Sequence, residues 1–317
     1  MTRHYALHSH VMAVQAWPAL ADAIQARLEP FVVDAGDPSL TIDFTPAAEG
    51  AGAFGRPAGR RVYDFPDGEV TYDDDCDLLT IAVGDRIRAF CEPALGRADV
   101  TIRSPQASDL YLLSHPVLSL LVMELLKRRR LFPLHAAGLA LDDRGILLAG
   151  TSGAGKSTLS VALARAGFAF LSDDTVFLEA DAPGWRVRAF PDQIDLCADA
   201  ADLFPELRRT IDGPVPPNWR KRQIRAESMY GSPISWAARP QTLIFPRVAG
   251  RPRSTIRRIS PEEALLELAP NVLLTDSVAS QQHLDALAGI ATQCACFRLD
   301  TGRELDDAVA VVRSAAA

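Results

Sequence analysis

The sequence predicts an α/β fold with a β-rich N-terminal domain, and three patterns carry that expectation. Residues 145–149, Gly-Ile-Leu-Leu-Ala, form an apolar run that leads into G-T-S-G-A-G-K-S at 150–157, and a helical pattern follows from Thr158 to Ala166. Strand, glycine loop and helix in that order are the setting a phosphate-binding loop requires. Up to about residue 113, short β-branched or alternating runs are separated by turn-forming residues. Beyond residue 166, strand-like and helical patterns take turns. The expected division is therefore 1–113 as a β-rich domain and 114–317 as the loop-bearing domain.

In the loop, glycines at 150, 153 and 155 let successive backbone N–H groups turn towards one phosphate chain without a side chain in the way. The helix that begins near Lys156 adds its positive end. Lys156 is placed to reach the β- and γ-phosphates, and the Ser157 hydroxyl to hold a Mg²⁺ ion bridging them. Gly150, Thr151, Ser152, Gly153, Ala154, Gly155, Lys156, Ser157 and Thr158 are accordingly the expected nucleotide contacts.

In chain order, a helix is expected at Trp17 to Leu28, and strands at Leu40–Phe44, Leu78–Val83, Ile87–Phe90 and Asp99–Arg103. The Ala/Gly-rich piece 47–59 reads as a loop, and Asp73-Asp74-Asp75 as a polar turn in preference to a cation site. His115-Pro116 is expected to open a helix ending in Lys127-Arg128-Arg129-Arg130, whose charges offset its dipole. Phe132–Leu141 is a strand, 142–145 a hairpin turn, Gly167 a helix C-cap, and 168–174 a strand ending in Asp173-Asp174. Ser260-Pro261-Glu262-Glu263 carries a helix start with a capping box. A Pro-rich connection at 213–219 leads into Arg220-Lys221-Arg222 and Arg225. That basic segment either closes over phosphates or an acidic peptide, or is simply solvated.

With 317 residues, 48% hydrophobic and 23% charged, the chain has the composition of a globular protein large enough for two domains. The first residues lack the apolar core of a secretory signal, and no run reaches the length of a membrane span, so a cytoplasmic protein with no membrane partner is expected. A net charge of −7 speaks against a nucleic-acid partner. The five cysteines form no C-x-x-C pair and are expected as free thiols. Oligomeric state stays open, a homo-oligomer included.

Asp173 and Asp174 lie one helix and one return strand beyond Lys156, which brings them to the same sheet edge. Phosphoryl transfer uses two acidic functions there, one serving the metal and one accepting the proton of the attacking hydroxyl. Adjacent residues of a continuing strand face opposite ways, so the two cannot do identical work unless the strand has ended. No N-K-x-D guanine signature is present.

L-H-A-A-G-L-A-L at 134–141, the loop, and F-L-S-D-D at 170–174 together resemble the catalytic domain of HPr kinase/phosphorylase and its relatives, over roughly residues 131–180. The resemblance implies a P-loop kinase domain of the HPr kinase and phosphoenolpyruvate carboxykinase type. It implies ATP and Mg²⁺ as cofactors, phosphoryl transfer to a serine hydroxyl, and His135, Lys156, Asp173 and Asp174 as catalytic residues. By it, Ser157 and Asp173 serve the metal, Asp174 is favoured as base, and His135 assists near the phosphates. The segment after the aspartates departs from that family's glycine-rich R-G-x-G pattern, and Asp192, Asp195 or Asp199 would have to replace the metal-binding glutamate it carries. The different N-terminal half implies a different acceptor, a protein or peptide recognised there. Similar stand-alone kinases phosphorylate the precursor peptides of lasso-peptide biosynthesis. A degenerate nucleotide-binding scaffold and a carboxykinase-like enzyme acting on a small molecule remain the alternatives.

Overall fold

Alternation of apolar and polar residues in the first third produces strands that bury one face. In β4 (Leu40–Pro46) the residues Leu40, Ile42 and Phe44 are buried, and in β9 (Arg97–Ile102) Ala98, Val100 and Ile102 are buried. A computed structural model describes residues 1–317 except 49, 51, 67, 192, 198–199, 209–221 and 226–229. The chain divides into two compact units, Met1–Arg129 with Leu273–Gln281, and Arg130–Val272 with Gln282–Ala317. This division differs from the expected boundary at 113/114: the helix Leu118–Lys127 belongs to the first unit, and so does a short segment from late in the sequence.

In the first unit, β1 (Thr2–Leu7), β2 (His10–Gln15), β3 (Val32–Val33), β4, β5 (Arg60–Phe65), β6 (Gly68–Asp73), β7 (Leu78–Val83), β8 (Ile87–Glu92) and β9 form one sheet in the order β3-β1-β2-β4-β9-β8-β7-β6-β5. Its β2–β4 and β4–β9 pairs are parallel, and β5 to β9 form an antiparallel meander. The helix Pro18–Arg27 provides the crossover between β2 and β4. Asp73 accepts from the backbone N–H groups of Asp75 and Cys76, so the acidic triplet is the polar turn the sequence indicated.

The apolar helix begins earlier than His115-Pro116. A helical stretch runs from Asp109, and Pro116 sits inside a π-turn at Leu113–Val117, where the wider ring accommodates a residue without an N–H. Ser114 Oγ donates to the Leu110 carbonyl across the same turn. Among the described residues, Asp109–Lys127 is the helix long and apolar enough to cross a membrane by length and composition, and most of it is buried within the fold. The basic cluster at its end does more than offset a dipole. Lys127 and Glu124 form a buried ion pair at 2.7 Å, and Lys127 donates to the Leu273 carbonyl and to Thr275 Oγ1. Arg128 pairs with Asp77 and Asp276. Burial holds the Lys127 ammonium below its ordinary pKa, and only these partners make the charge tolerable there.

The second unit contains β10 (Phe132–Leu141), β11 (Arg144–Ala149), β12 (Ala169–Ser172), β13 (Thr175–Asp181), β14 (Gly184–Arg188), β15 (Ile194–Leu196), β16 (Arg222–Ile224), β17 (Ala237–Val248), β18 (Thr255–Arg258) and β19 (Ala295–Thr301). The larger sheet has the order β11-β10-β13-β14-β17-β19-β18, with β12 paired to β10 and a further parallel pairing of β11 with β17. That pairing closes β11, β10, β13, β14 and β17 into a ring. β17 also lies parallel to β19, so β11, β17 and β19 point their carboxyl ends to one side. The fold is mixed α/β with several sheets, as the sequence patterns required.

The capping box expected at 260–263 is present. Ser260 Oγ accepts from the Glu263 backbone N–H, and the Glu263 carboxylate accepts from the Ser260 N–H, at the start of the helix Pro261–Leu268. Ser260→Ala is expected to cost about 1 kcal/mol in urea unfolding, with Ser260→Thr retaining most of it. Equal unfolding midpoints for parent and Ser260→Ala would show that the box contributes nothing.

Candidate active site

β10 and β11 are joined by a two-residue turn in which Asp142 and Asp143 both have positive φ, 48° and 63°, as a tight hairpin matched to strand twist requires. The hairpin sets His135, near the start of β10, beside the carboxyl end of β11, where the glycine loop begins. Gly153 and Gly155 have φ of 83° and 93°, a region costly for any side chain. Gly155 stands at the N-cap of the helix Lys156–Arg165.

Lys156 is 8% exposed, and its ammonium donates to the Gly150 carbonyl at 2.6 Å, to the Thr151 carbonyl at 3.4 Å and to His135 Nε2 at 3.1 Å. An ammonium only donates, so Nε2 of His135 accepts and the ring proton sits on Nδ1. That Nδ1 lies 3.1 Å from Asp174 Oδ1. The result is a directed line: Lys156 donates to His135, and His135 donates to Asp174, whose remaining surface is largely open to solvent.

The two aspartates occupy a bend between β12 and β13, pinned by the Thr175 N–H donating to Ser172 Oγ. The strand has ended there, so alternation does not separate them. Their environments do. Asp173 is buried, and burial pushes its carboxyl up to about 7; the Ser157 hydroxyl bonded to it pulls the other way, while Asp174 and Asp195 raise it further. Asp173 Oδ1 has no hydrogen-bond partner. A buried, orphaned carboxylate oxygen on a group that also binds the Ser157 hydroxyl fits a divalent cation, a hard ion satisfied by oxygen ligands. Among the described residues there is no cluster of three His, Cys, Asp or Glu side chains placed to hold a metal by themselves. A cation held by Ser157 and Asp173 would therefore need oxygens from a ligand, as Mg²⁺ does when it bridges phosphates.

His135, Ser152, Gly153, Ala154, Gly155, Lys156, Ser157, Thr158, Asp173 and Asp174 all line one cavity of about 280 Å³. Asp195, on β15, lines it too, and accepts from Gln223 of the paired strand β16 at 3.1 Å. Asp192, Asp199, the connection 213–219, Arg220 and Lys221 lie outside the described residues. Arg222 is placed on β16, opposite Leu196. Gly150 and Thr151 line a second, larger cavity of about 800 Å³ with the end of β17 and the helix Pro261–Leu268. Sequence reading missed that cavity, because its walls meet only through the parallel pairing of β11 and β17.

In comparisons with known proteins, residues 100–212 match the family model described as SynChlorMet cassette protein ScmC. No curated protein matches the chain. Among solved structures, the Hpr(Ser) kinase/phosphatase from Coxiella burnetii aligns with 57% of this chain and 94% of its own, at 13% identity and a TM-score of 0.31, a distant resemblance.

Proposed function

We propose that this chain is an ATP-dependent kinase that transfers the γ-phosphoryl group to a serine hydroxyl of a protein or peptide, a biosynthetic precursor peptide being the favoured acceptor. The observation that carries the reading is the gathering of Lys156, Ser157, Asp173, Asp174 and His135 around one cavity, with the line from Lys156 through His135 to Asp174. The backbone N–H groups of the loop and the Lys156 ammonium would bind the phosphate chain. A Mg²⁺ ion at Ser157 and Asp173 would neutralise charge on the β- and γ-phosphate oxygens.

In this mechanism the acceptor hydroxyl oxygen forms a bond to the γ-phosphorus as the bond from that phosphorus to the β-bridging oxygen breaks. ADP leaves, and the hydroxyl proton passes to the Asp174 carboxylate. Asp174 suits the base because it is exposed at the cavity, whereas the buried Asp173 is better placed to face a cation. His135 fixes the Asp174 carboxylate through Nδ1–H and ties it to the lysine that senses the phosphates.

Transfer of label from γ-labelled ATP to candidate serine peptides tests the reading. Lys156→Ala is expected to lower transfer at least about 100-fold and to weaken ATP binding. A Lys156→Ala chain that phosphorylates at the parent rate would sink the proposal. A parent that binds ATP yet labels no hydroxyl acceptor would instead favour the scaffold alternative.

A further inference from the structure

We propose that the face of the β5–β9 meander carrying Arg88 is a docking surface for an acidic peptide, with Arg88 taking the carboxylate of a glutamate or aspartate side chain; the inference rests on reading the acceptor as a peptide.

The two faces of this meander are unlike. On one, Val70, Ile81, Ala89 and Val100 are buried in register across β6, β7, β8 and β9. On the other, alternation brings up Glu69 and Thr71 of β6, Thr80 and Ala82 of β7, and Arg88 and Phe90 of β8. Arg88 is only 4% exposed. Residues 52–58, which form no helix, strand or turn, cover it: the Phe54 ring centre lies 5.5 Å from the guanidinium carbon, and the Gly55 carbonyl accepts from Nη2 at 2.8 Å. Nη1 is buried without a partner, and so is the Thr71 hydroxyl oxygen on the same face. Among the described residues Arg88 has no ion pair, and Glu69, opposite it beyond Ala82, pairs with Arg61 at 3.4 Å. Burial works against the Arg88 charge more than Glu69 supports it.

A guanidinium shut away from water with one backbone oxygen and one ring is under-compensated, since a buried cation is ordinarily held by a carboxylate. The covering segment shows the form of the occupant. A ring packs on the guanidinium, and an acceptor oxygen follows one residue later. Replacing that neutral carbonyl with a carboxylate adds the opposite charge and a second oxygen, which satisfies Nη1 as well as Nη2. The segment is loosely packed, for a Cβ added at Gly52 or Gly55 would meet nothing within 4 Å, so an incoming chain displaces it at little cost. Phe90, 44% exposed on the same face, gives that chain an apolar neighbour. A small anion would supply the charge but neither the ring nor the contact with Phe90.

Fluorescence anisotropy on the full chain, without nucleotide, tests this with two dye-labelled peptides, Ala-Gly-Phe-Glu-Gly-Ser and the same sequence with Gln for Glu. The Glu peptide is expected to bind at least about tenfold more tightly, the scale of a charge-assisted pair. Arg88→Gln should bring the two affinities together, while Lys156→Ala keeps the preference. Equal binding of both peptides by the parent overturns the inference. So does a preference that persists in Arg88→Gln, which would place the carboxylate elsewhere. Sodium glutamate or inorganic phosphate competing as well as the Glu peptide would make this a small-anion site and overturns it too. Should Arg88→Gln fail to fold, Arg88→Lys keeps the charge without the fork and is expected to retain only part of the preference; an undiminished preference there counts equally against the assignment. A parent that prefers the Glu peptide yet labels no hydroxyl acceptor from ATP keeps this surface and loses the kinase reading. One that labels an acceptor but binds both peptides alike loses this surface alone.

Discussion

Asp174→Asn is expected to lower kcat by about 10²- to 10⁴-fold while Mg·ATP affinity stays within a few-fold of the parent. The amide keeps the shape and can still accept from His135 Nδ1–H, but it takes no proton from an attacking hydroxyl. Single-turnover transfer and equilibrium ATP binding measured on the same preparation make the split visible. If kcat is retained, the hydroxyl proton goes elsewhere, and the line from Lys156 through His135 to Asp174 would then orient residues only.

Asp173→Asn should act in the opposite way on stability and remove metal-dependent binding. The folded carboxyl titrates at about 7 against an ordinary 3.8, chiefly because burial penalises the anion. A raised carboxyl pKa means the folded chain holds a proton that the unfolded chain has released. The associated stability is present in full below the ordinary value and is lost as pH climbs from about 4 to about 7, at up to about 1.4 kcal/mol per pH unit. The uncharged asparagine removes that slope. Urea unfolding of Asp173→Asn should therefore be flatter between pH 4 and 7, and at pH 8 the variant should be more stable than the parent by on the order of 1–3 kcal/mol. Mg·ATP affinity should fall at the same time. Parallel stability curves for parent and variant would show that Asp173 is no more strained in the fold than in the open chain.

These two residues also mark the limit of what the sequence could reveal. Their distance along the chain from Lys156 was enough to place both at the loop, because a helix and a return strand have fixed reach. Their division into one buried and one exposed carboxylate depends on the bend that Ser172 and Thr175 close, which no period in the sequence encodes. Local signals fared well elsewhere. The Asp142-Asp143 turn, Gly167 with φ of 88° after the loop helix, and the Ser260 box each follow from chemistry within a few residues. Pro116 misled because a proline normally marks a helix start or stop, and the π-turn that absorbs it is visible only in the folded backbone. The Lys127-Arg128 pair was expected only to offset the helix dipole, yet its partners Thr275 and Asp276 are nearly 150 residues away in sequence. The parallel pairing of β11 and β17 joins residues almost 100 apart, and with it came the whole larger cavity.

That long-range embrace of Thr275 and Asp276 decides how the molecule can be cut. The polypeptide passes from the first unit to the second at 129/130, returns at 272/273 and leaves again at 281/282. A fragment beginning at Arg130 would carry residues 273–281 as an orphan, stripped of the Glu124, Lys127 and Arg128 side chains that hold them. Conversely, a fragment ending at Arg129 would retain Lys127 and Glu124, buried against one another, without the Thr275 hydroxyl that bonds both. The loop-bearing half is thus not a removable module, and a single protease nick at the first crossing would leave two pieces still clasped together.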